Sequence, residues 1–354
     1  MSDSETIFIK TKFNQAWYSQ KSIAIPNRAM AFGDGLFETM TALEGEVRFF
    51  DLHHLRLTRG MRLLKLDPEL INISELKELI KRYASESNTK IRWTVFRAGM
   101  GKYTPESTAV IQMIQISKFN KAPLIKAQTG FSEIISLSRQ PWSRFKTLNS
   151  LPYVLANQER SDRGWDEIIL CTPEGLISEA GASNIFWIKE NRFFTPSLDC
   201  NCLEGVSRAI IIDSLRKNNY TLSEGLYQKV DLMSADQIFV SNSSGISMLA
   251  KVENKEFSIA PLDFITDLFN WNQKLQINLC RRLHKILYLE VYSTKFSQLA
   301  KTTTQTSTYS IHAIRTLRFS RFYRLLFAHN RYGSFRFQRK ERPRKEFLRL
   351  FPCI

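Results

Sequence analysis

Residues 144–149 read Arg144-Phe145-Lys146-Thr147-Leu148-Asn149, and residues 178–184 read Ser178-Glu179-Ala180-Gly181-Ala182-Ser183-Asn184. The first stretch sets a lysine in a turn-like segment, and the second is an acidic run of small residues. A lysine amine condenses with an aldehyde as a Schiff base, and a carboxylate beside a pyridine nitrogen keeps that nitrogen protonated, which makes the ring an electron sink. Lys146 and Glu179 fit those two roles.

Two further stretches extend the pattern. Leu203-Glu204-Gly205-Val206-Ser207-Arg208 is a glycine turn entering a helical pattern, and Ser241-Asn242-Ser243-Ser244-Gly245 is a polar cluster at the end of a predicted strand. Free backbone amides and the helix dipole at such an entry cradle a phosphate, and the polar cluster adds donors. Arg56, in His53-His54-Leu55-Arg56-Leu57, is the candidate fixed charge. Each element is weak alone. A lone lysine is usually a solvated surface residue, Ser-Asn-Ser-Ser-Gly is usually a turn, and His53 and His54 more often pack than catalyse. Their order along one chain is what points to a pyridoxal 5'-phosphate site.

The 354 residues, 43% hydrophobic and 12% aromatic, suffice for two packed domains. Met1-Ser2-Asp3-Ser4-Glu5 lacks the basic flank and apolar core of a signal peptide, and no apolar run reaches membrane-spanning length, so a cytoplasmic protein is expected. Five cysteines, with no CxxC spacing, argue against a disulfide framework and a zinc site. Cys200 and Cys202 read as reduced structural thiols, and no metal is expected. The net charge of +16 is concentrated in residues 277–354, which hold seventeen Lys+Arg against three acids and leave +2 for residues 1–276. Any nucleic-acid or membrane partner would act through that stretch alone.

Residues 46–50 and 91–97 have the β-branched and aromatic content of strands, and residues 53–66 and 73–83 space their apolar side chains as helices do. The first part therefore reads as α+β. A loosened pattern at Lys121-Ala122-Pro123 marks a linker. Beyond it, strands are expected at 167–171, 184–189 and 237–241, and helices at 151–163 and 207–217. The expected organisation is a small domain over 1–118, a larger one over 119–276 with the site in the cleft between them, and a basic tail over 277–354.

Across roughly residues 20–265 the sequence resembles the class IV aminotransferases, the fold-type IV pyridoxal phosphate family that includes branched-chain and D-amino-acid aminotransferases and 4-amino-4-deoxychorismate lyases. The resemblance rests on Asn27-Arg28-Ala29-Met30-Ala31-Phe32-Gly33-Asp34-Gly35-Leu36-Phe37-Glu38-Thr39, the Arg56 segment, Lys146-Thr147-Leu148-Asn149, residues 179–186, residues 205–208 and residues 241–245. It implies a small α+β N-terminal domain, a larger α/β domain with a barrel-like core, the cofactor between them, and a homodimer. By the same resemblance, Lys146 would bind the cofactor as a Schiff base and then move the substrate Cα proton, and Glu179 would pair with the pyridine nitrogen. Arg56, the amides of Val206 and Ser207, and Asn242 would hold the phosphate. Ser243 and Ser244 would offer amides to a substrate carboxylate, with Arg97 also facing the substrate.

The motifs divide over the reaction. Leu151 stands where branched-chain enzymes usually carry a tyrosine, and no Arg-x-His carboxylate trap follows Arg97. Phe32-Gly33-Asp34-Gly35, the Lys146-x-x-Asn149 pattern and Asn184-Ile185-Phe186-Trp187 are similar to the lyases, although Gly101-Lys102-Tyr103 replaces their Gly-Arg-Gly-Tyr. Transfer of an amino group between an amino acid, in one version a branched-chain one, and a 2-oxo acid is the expected activity. The alternative is a lyase releasing pyruvate and 4-aminobenzoate, and a third reading is an inactive scaffold that binds. Lys146 and Glu179 together favour an enzyme.

Residues 277–354 interleave nine arginines between Arg315 and Arg344 with aromatic residues such as Phe319, Phe322, Tyr323 and Phe335, a composition suited to single-stranded nucleic acid. They also have few acids, little turn grammar and no sustained periodicity. The preferred expectation is an out-of-frame extension beginning near residues 270–280.

Overall fold

Residue alternation along Gly35–Leu43 sets the first layer of the protein, here a computed structural model describing residues 6–11, 16–19, 23, 26–85 and 88–270. The readings of the acidic N-terminus and of the 277–354 tail lie outside these residues. Successive side chains of a strand face opposite ways. Leu36, Met40 and Ala42 face the helix Phe50–Leu63 and share a core with Leu57, Met61, Ile91, Trp93 and Val95. Phe37, Thr39 and Thr41 face the other way, beside Thr94, Arg92 and Lys90 of the antiparallel neighbour Thr89–Arg97. The sheet runs in the order Tyr18–Ser19, Thr6–Lys10, Val110–Lys118, Thr89–Arg97, Gly35–Leu43 and Glu46–Val47. One face therefore builds a core and the other presents polar and cationic groups.

The expected strand over residues 46–50 stops at Val47. Phe49 takes a left-handed conformation, with φ of 56°, and turns the chain so that Phe50 opens the helix instead. β-branched and aromatic content reported the burial of Phe49 and Phe50 rather than extended backbone. The helix accordingly spans Phe50–Leu63, shifted toward the N-terminus from the expected 53–66. Ile73–Tyr83 and the strands Glu167–Cys171 and Asn184–Lys189 fall where expected, while Thr89–Arg97 and Gln237–Asn242 extend slightly further.

After an irregular passage at residues 119–124, two more sheets follow. One has five strands, in which Thr129–Ser136 and Glu167–Cys171 run parallel, joined by the crossover helix Leu151–Asp162. The other has six, centred on Asn184–Lys189 and Gln237–Asn242 and covered by helix Val206–Lys217, whose Ile210, Ile211 and Leu215 pack with Phe186 and Phe239. Ile177–Ala180 ends in a tight turn whose Ala180 and Ser183 pair, and this hands the chain from one sheet to the next with Glu179 inside. Among the described residues no helix is long and apolar enough to cross a membrane, and Cys171, Cys200 and Cys202 are free thiols.

Candidate active site

The lysine segment is zipped to the open edge of the first sheet. Phe37 donates its amide to the Lys146 carbonyl at 2.8 Å, and Leu148 donates to the Gly35 carbonyl at 3.0 Å. Gly33, with φ of 62°, backs onto Asn149, and a Cβ there would lie 2.7 Å from the Asn149 Oδ1. The Phe-Gly-Asp-Gly and Lys-x-x-Asn patterns are thus two halves of one joint that fixes the backbone carrying Lys146.

The lysine side chain enters a cavity of about 790 Å³. Its Nζ lies 4.7 Å from the centre of the Phe37 ring, and the Arg92 guanidinium lies 3.9 Å from the same ring. Among the described residues the amine has no hydrogen-bond acceptor. Lys146 keeps some accessible surface, that of the cavity wall, but protein encloses the amine closely. Burial, then the Arg56 guanidinium, draw it down to about 8 against the pull of Glu38. An amine near neutrality is both a nucleophile and a base.

Glu179 is the single acid in the cavity wall among the described residues, which otherwise carries Arg48, Arg56, Lys90, Arg92 and Arg160 besides Lys146. Its Oε1 accepts the Tyr153 hydroxyl at 2.5 Å, while Oε2 accepts the Leu203 amide at 3.1 Å and the Asn184 amide nitrogen at 3.4 Å. Burial pushes the carboxyl up to about 7, against the hydrogen bonds from Tyr153 and Leu203 and the charges of Lys146 and Arg56. A carboxyl raised above its ordinary 4.5 favours folding while protonated; that contribution is full below about 4.5 and is lost as pH rises through about 7. The stability of the cofactor-free protein minus that of Glu179→Gln should therefore fall across this window, by on the order of 3 kcal/mol. Taking the difference cancels the opposite contribution of His53, which burial pulls below its ordinary value. Denaturant titrations at pH 4.5 and 8 check the sign, and a flat difference would contradict it.

Arg56 is held in place before it meets any ligand. Its Nε donates to the Glu38 Oε1 at 2.8 Å and its Nη2 to Oε2, while His53 Nδ1 lies 2.7 Å from Oε2. Burial pushes Glu38 up, but the Arg56 charge and the bonds from His53 and Arg56 outweigh it and hold the carboxyl at about 2. The remaining Nη1 donates to the Glu204 carbonyl at 2.9 Å. Arg59 reaches the Glu204 side chain at 2.7 Å. One helix thus clamps the loop that leads to the N-terminus of Val206–Lys217. The first-turn amides there have no helical acceptor, and Ser241 donates its hydroxyl to the Ser207 Oγ at 3.3 Å. Gly205 leaves room for the loop, since a Cβ would lie 1.8 Å from the Asn184 Oδ1. Asn184 is itself held by Leu203 and Glu179. Gly205→Ala should cost about 1–3 kcal/mol of stability and weaken phosphate binding, readable by thermal melts and by titration with inorganic phosphate.

The structure brings Arg56, Lys146, Glu179, Val206, Ser207, Asn242, Ser243 and Ser244 to one cavity. Asn242 turns inward on its own turn, donating to the Ser183 Oγ at 3.0 Å and accepting the Ser244 amide at 2.8 Å. The Ser244 amide, expected to meet a substrate carboxylate, is therefore engaged by Asn242. Arg97 lies outside the cavity wall. Its guanidinium is spent on Asp34 at 2.9 Å, which Arg28 also binds, and on the carbonyls of Leu64, Lys65 and Ser107. This corrects the expectation that Arg97 faces the substrate.

A family model for class IV amino-transferases matches residues 35–251. The chain belongs to this family. It is 27% identical over 224 residues to an aminodeoxychorismate lyase of Bacillus subtilis, covering 60% of this chain and 75% of that protein. It is 25% identical over 236 residues to a D-alanine aminotransferase of Listeria monocytogenes, covering 63% and 79%. Among solved structures, 4-amino-4-deoxychorismate lyase from Pseudomonas aeruginosa superposes with a TM-score of 0.63 at 25% identity, covering 70% of this chain and 94% of that one. The branched-chain aminotransferase from Escherichia coli gives 0.65 at 20% identity over 76% and 92%, a likeness of fold. The protein is a fold-type IV enzyme of a pyridoxal 5'-phosphate-dependent family.

The donor set of this class IV enzyme fits that cofactor. A buried amine drawn down to about 8, a buried carboxyl, and an arginine beside a helix N-terminus line one cavity, the set that an aldehyde, a pyridine nitrogen and a phosphate call for. Sequence reasoning missed Glu38, Tyr153, Arg48, Lys90 and Arg92. The alternation of Lys90, Arg92 and Thr94 was the available signal for the last two, because period-2 polarity opposite Thr39 and Thr41 marks a wet face.

Proposed function

We propose that this protein is an aminotransferase that moves an amino group between an amino acid and a 2-oxo acid. The observation that carries the reading is the Lys146 amine, drawn down to about 8 and, among the described residues, without a hydrogen-bond acceptor, in a cavity wall whose single acid among those residues is Glu179. When bound, pyridoxal phosphate supplies an electron sink for a carbanion at the substrate Cα. The residues of the chain do the rest. Arg56 and the Val206 and Ser207 amides would hold the phosphate, and Glu179 would keep the proton on the ring nitrogen. Lys146 Nζ takes the Cα proton, and the wall of Phe37, Tyr153 and Phe145 limits water. The surplus of cations suits substrates with more than one carboxylate: Arg92 and Lys90 line the cavity beside Thr39 and Thr41, their cross-strand neighbours. We propose further that the enzyme is a homodimer, since Leu151, Val154 and Leu155 leave an apolar surface exposed on the helix bordering the cavity.

A second reading, cleavage of aminodeoxychorismate to pyruvate, is favoured by the Gly33–Asn149 joint, which is built from the two lyase-like patterns. The loaded enzyme, mixed with amino acids and with aminodeoxychorismate in turn, tests both. Conversion of the bound cofactor to its amine form with release of a 2-oxo acid supports transfer. Pyruvate from aminodeoxychorismate without that conversion supports the lyase and contradicts our reading.

A further inference from the structure

Helix Leu151–Asp162 carries Tyr153, whose ring forms part of the cavity wall and whose hydroxyl the assignments above leave without a role. That hydroxyl is the only donor to the Glu179 Oε1 among the described residues, at 2.5 Å. The other oxygen, Oε2, is served by the Leu203 amide and the Asn184 side chain. The carboxylate is thus gripped at both oxygens by three donors from three elements: a crossover helix, the loop before helix Val206–Lys217, and the strand Asn184–Lys189.

We propose that Tyr153 is a positioning residue for Glu179, its phenol fixing the carboxylate's orientation and favouring its charged form, so that a protonated ring nitrogen meets a ready partner. The proposal rests on the reading that Glu179 faces the cofactor nitrogen. The phenol is suited to this, because a donor hydrogen bond favours the ionised carboxylate and is strongest when the acceptor is charged. Tyr153 also stays protonated, since burial, then the charge of Glu179, raise it well above its ordinary value. The other groups facing Glu179 are the Lys146 amine, the Arg56 guanidinium of helix Phe50–Leu63 and the Cys202 thiol. Both cations favour the carboxylate; the thiol, pushed up to about 12 by burial and then by Glu179, stays neutral. Tyr153 alone among the side chains named combines a neutral donor with direct contact to Oε1.

The test is Tyr153→Phe, which keeps the ring and removes the hydroxyl. The cofactor-free variant is titrated with pyridoxal phosphate and with the analogue in which carbon replaces the ring nitrogen. Affinity for pyridoxal phosphate should fall roughly tenfold, as expected for a lost hydrogen bond to a charged group, while affinity for the analogue stays as in the parent. An equal loss for both, no loss, or tighter binding overturns the proposal. Without cofactor, the Glu179-dependent fall in stability should move to higher pH in Tyr153→Phe, because the carboxylate has lost a donor; an unmoved fall overturns it too. Failure of the parent protein to bind pyridoxal phosphate would overturn the proposed function, whereas the cofactor-free measurement would still decide the role of Tyr153.

Discussion

Replacing Lys146 with alanine abolishes the visible absorption band of the cofactor-loaded enzyme and lowers turnover by at least about 10³-fold, because one amine serves as both nucleophile and base. The fold should not suffer. The ammonium has no acceptor among the described residues, and its burial is a cost that alanine removes. An unchanged or higher melting temperature beside a vanished band separates loss of chemistry from loss of structure. Lys146→Arg serves as control, restoring charge without a usable nucleophile, and should remain inactive. Activity retained in either variant would contradict the assigned role.

Replacing Glu38 with glutamine gives the largest loss of stability, about 3–5 kcal/mol, because it leaves the Arg56 guanidinium buried without the carboxylate it is bonded to and strips His53 of its charged partner. The melting temperature should fall by about 10 °C, and phosphate affinity should fall with it as Arg56 loses its fixed orientation. The pH dependence carries the sign. Glu38 is held at about 2, so its contribution is present above about 4.5 and is lost as the pH drops through 2. The gap between parent and variant should therefore close in acid. A gap that stays constant from pH 7 to pH 3 would show that Glu38 acts by packing alone.

These two residues also mark how far the sequence could be read. Lys146 and Glu179 were visible because their chemistry is rare and their surroundings are distinctive: a small-residue run flags a carboxylate that must be approached closely. Glu38 was quoted within a motif but given no task, since its partners are fifteen and eighteen residues away and meet it only when helix Phe50–Leu63 lies on the strand. Arg97 misled for the opposite reason. An arginine at a strand end beside a glycine loop looks available, and nothing local shows that Asp34 and three carbonyls consume its donors. Helices with strong periodicity, such as Ile73–Tyr83, were legible to the residue. Thr129–Ser136 was not, because its exposed Ile134 breaks the alternation that marks a half-buried strand. Tyr153 joins the site only through a helix whose apolar pattern is weak and whose exposed face carries Leu151, Val154 and Leu155.

The central claim is that Lys146 is the residue that binds pyridoxal phosphate covalently. Reduction of the loaded enzyme with borohydride, followed by digestion and mass spectrometry, addresses it directly. The account predicts the added mass of the reduced cofactor on the peptide containing Lys146 and on no other. Label on a different lysine, or none on a protein that has bound the cofactor, would contradict it.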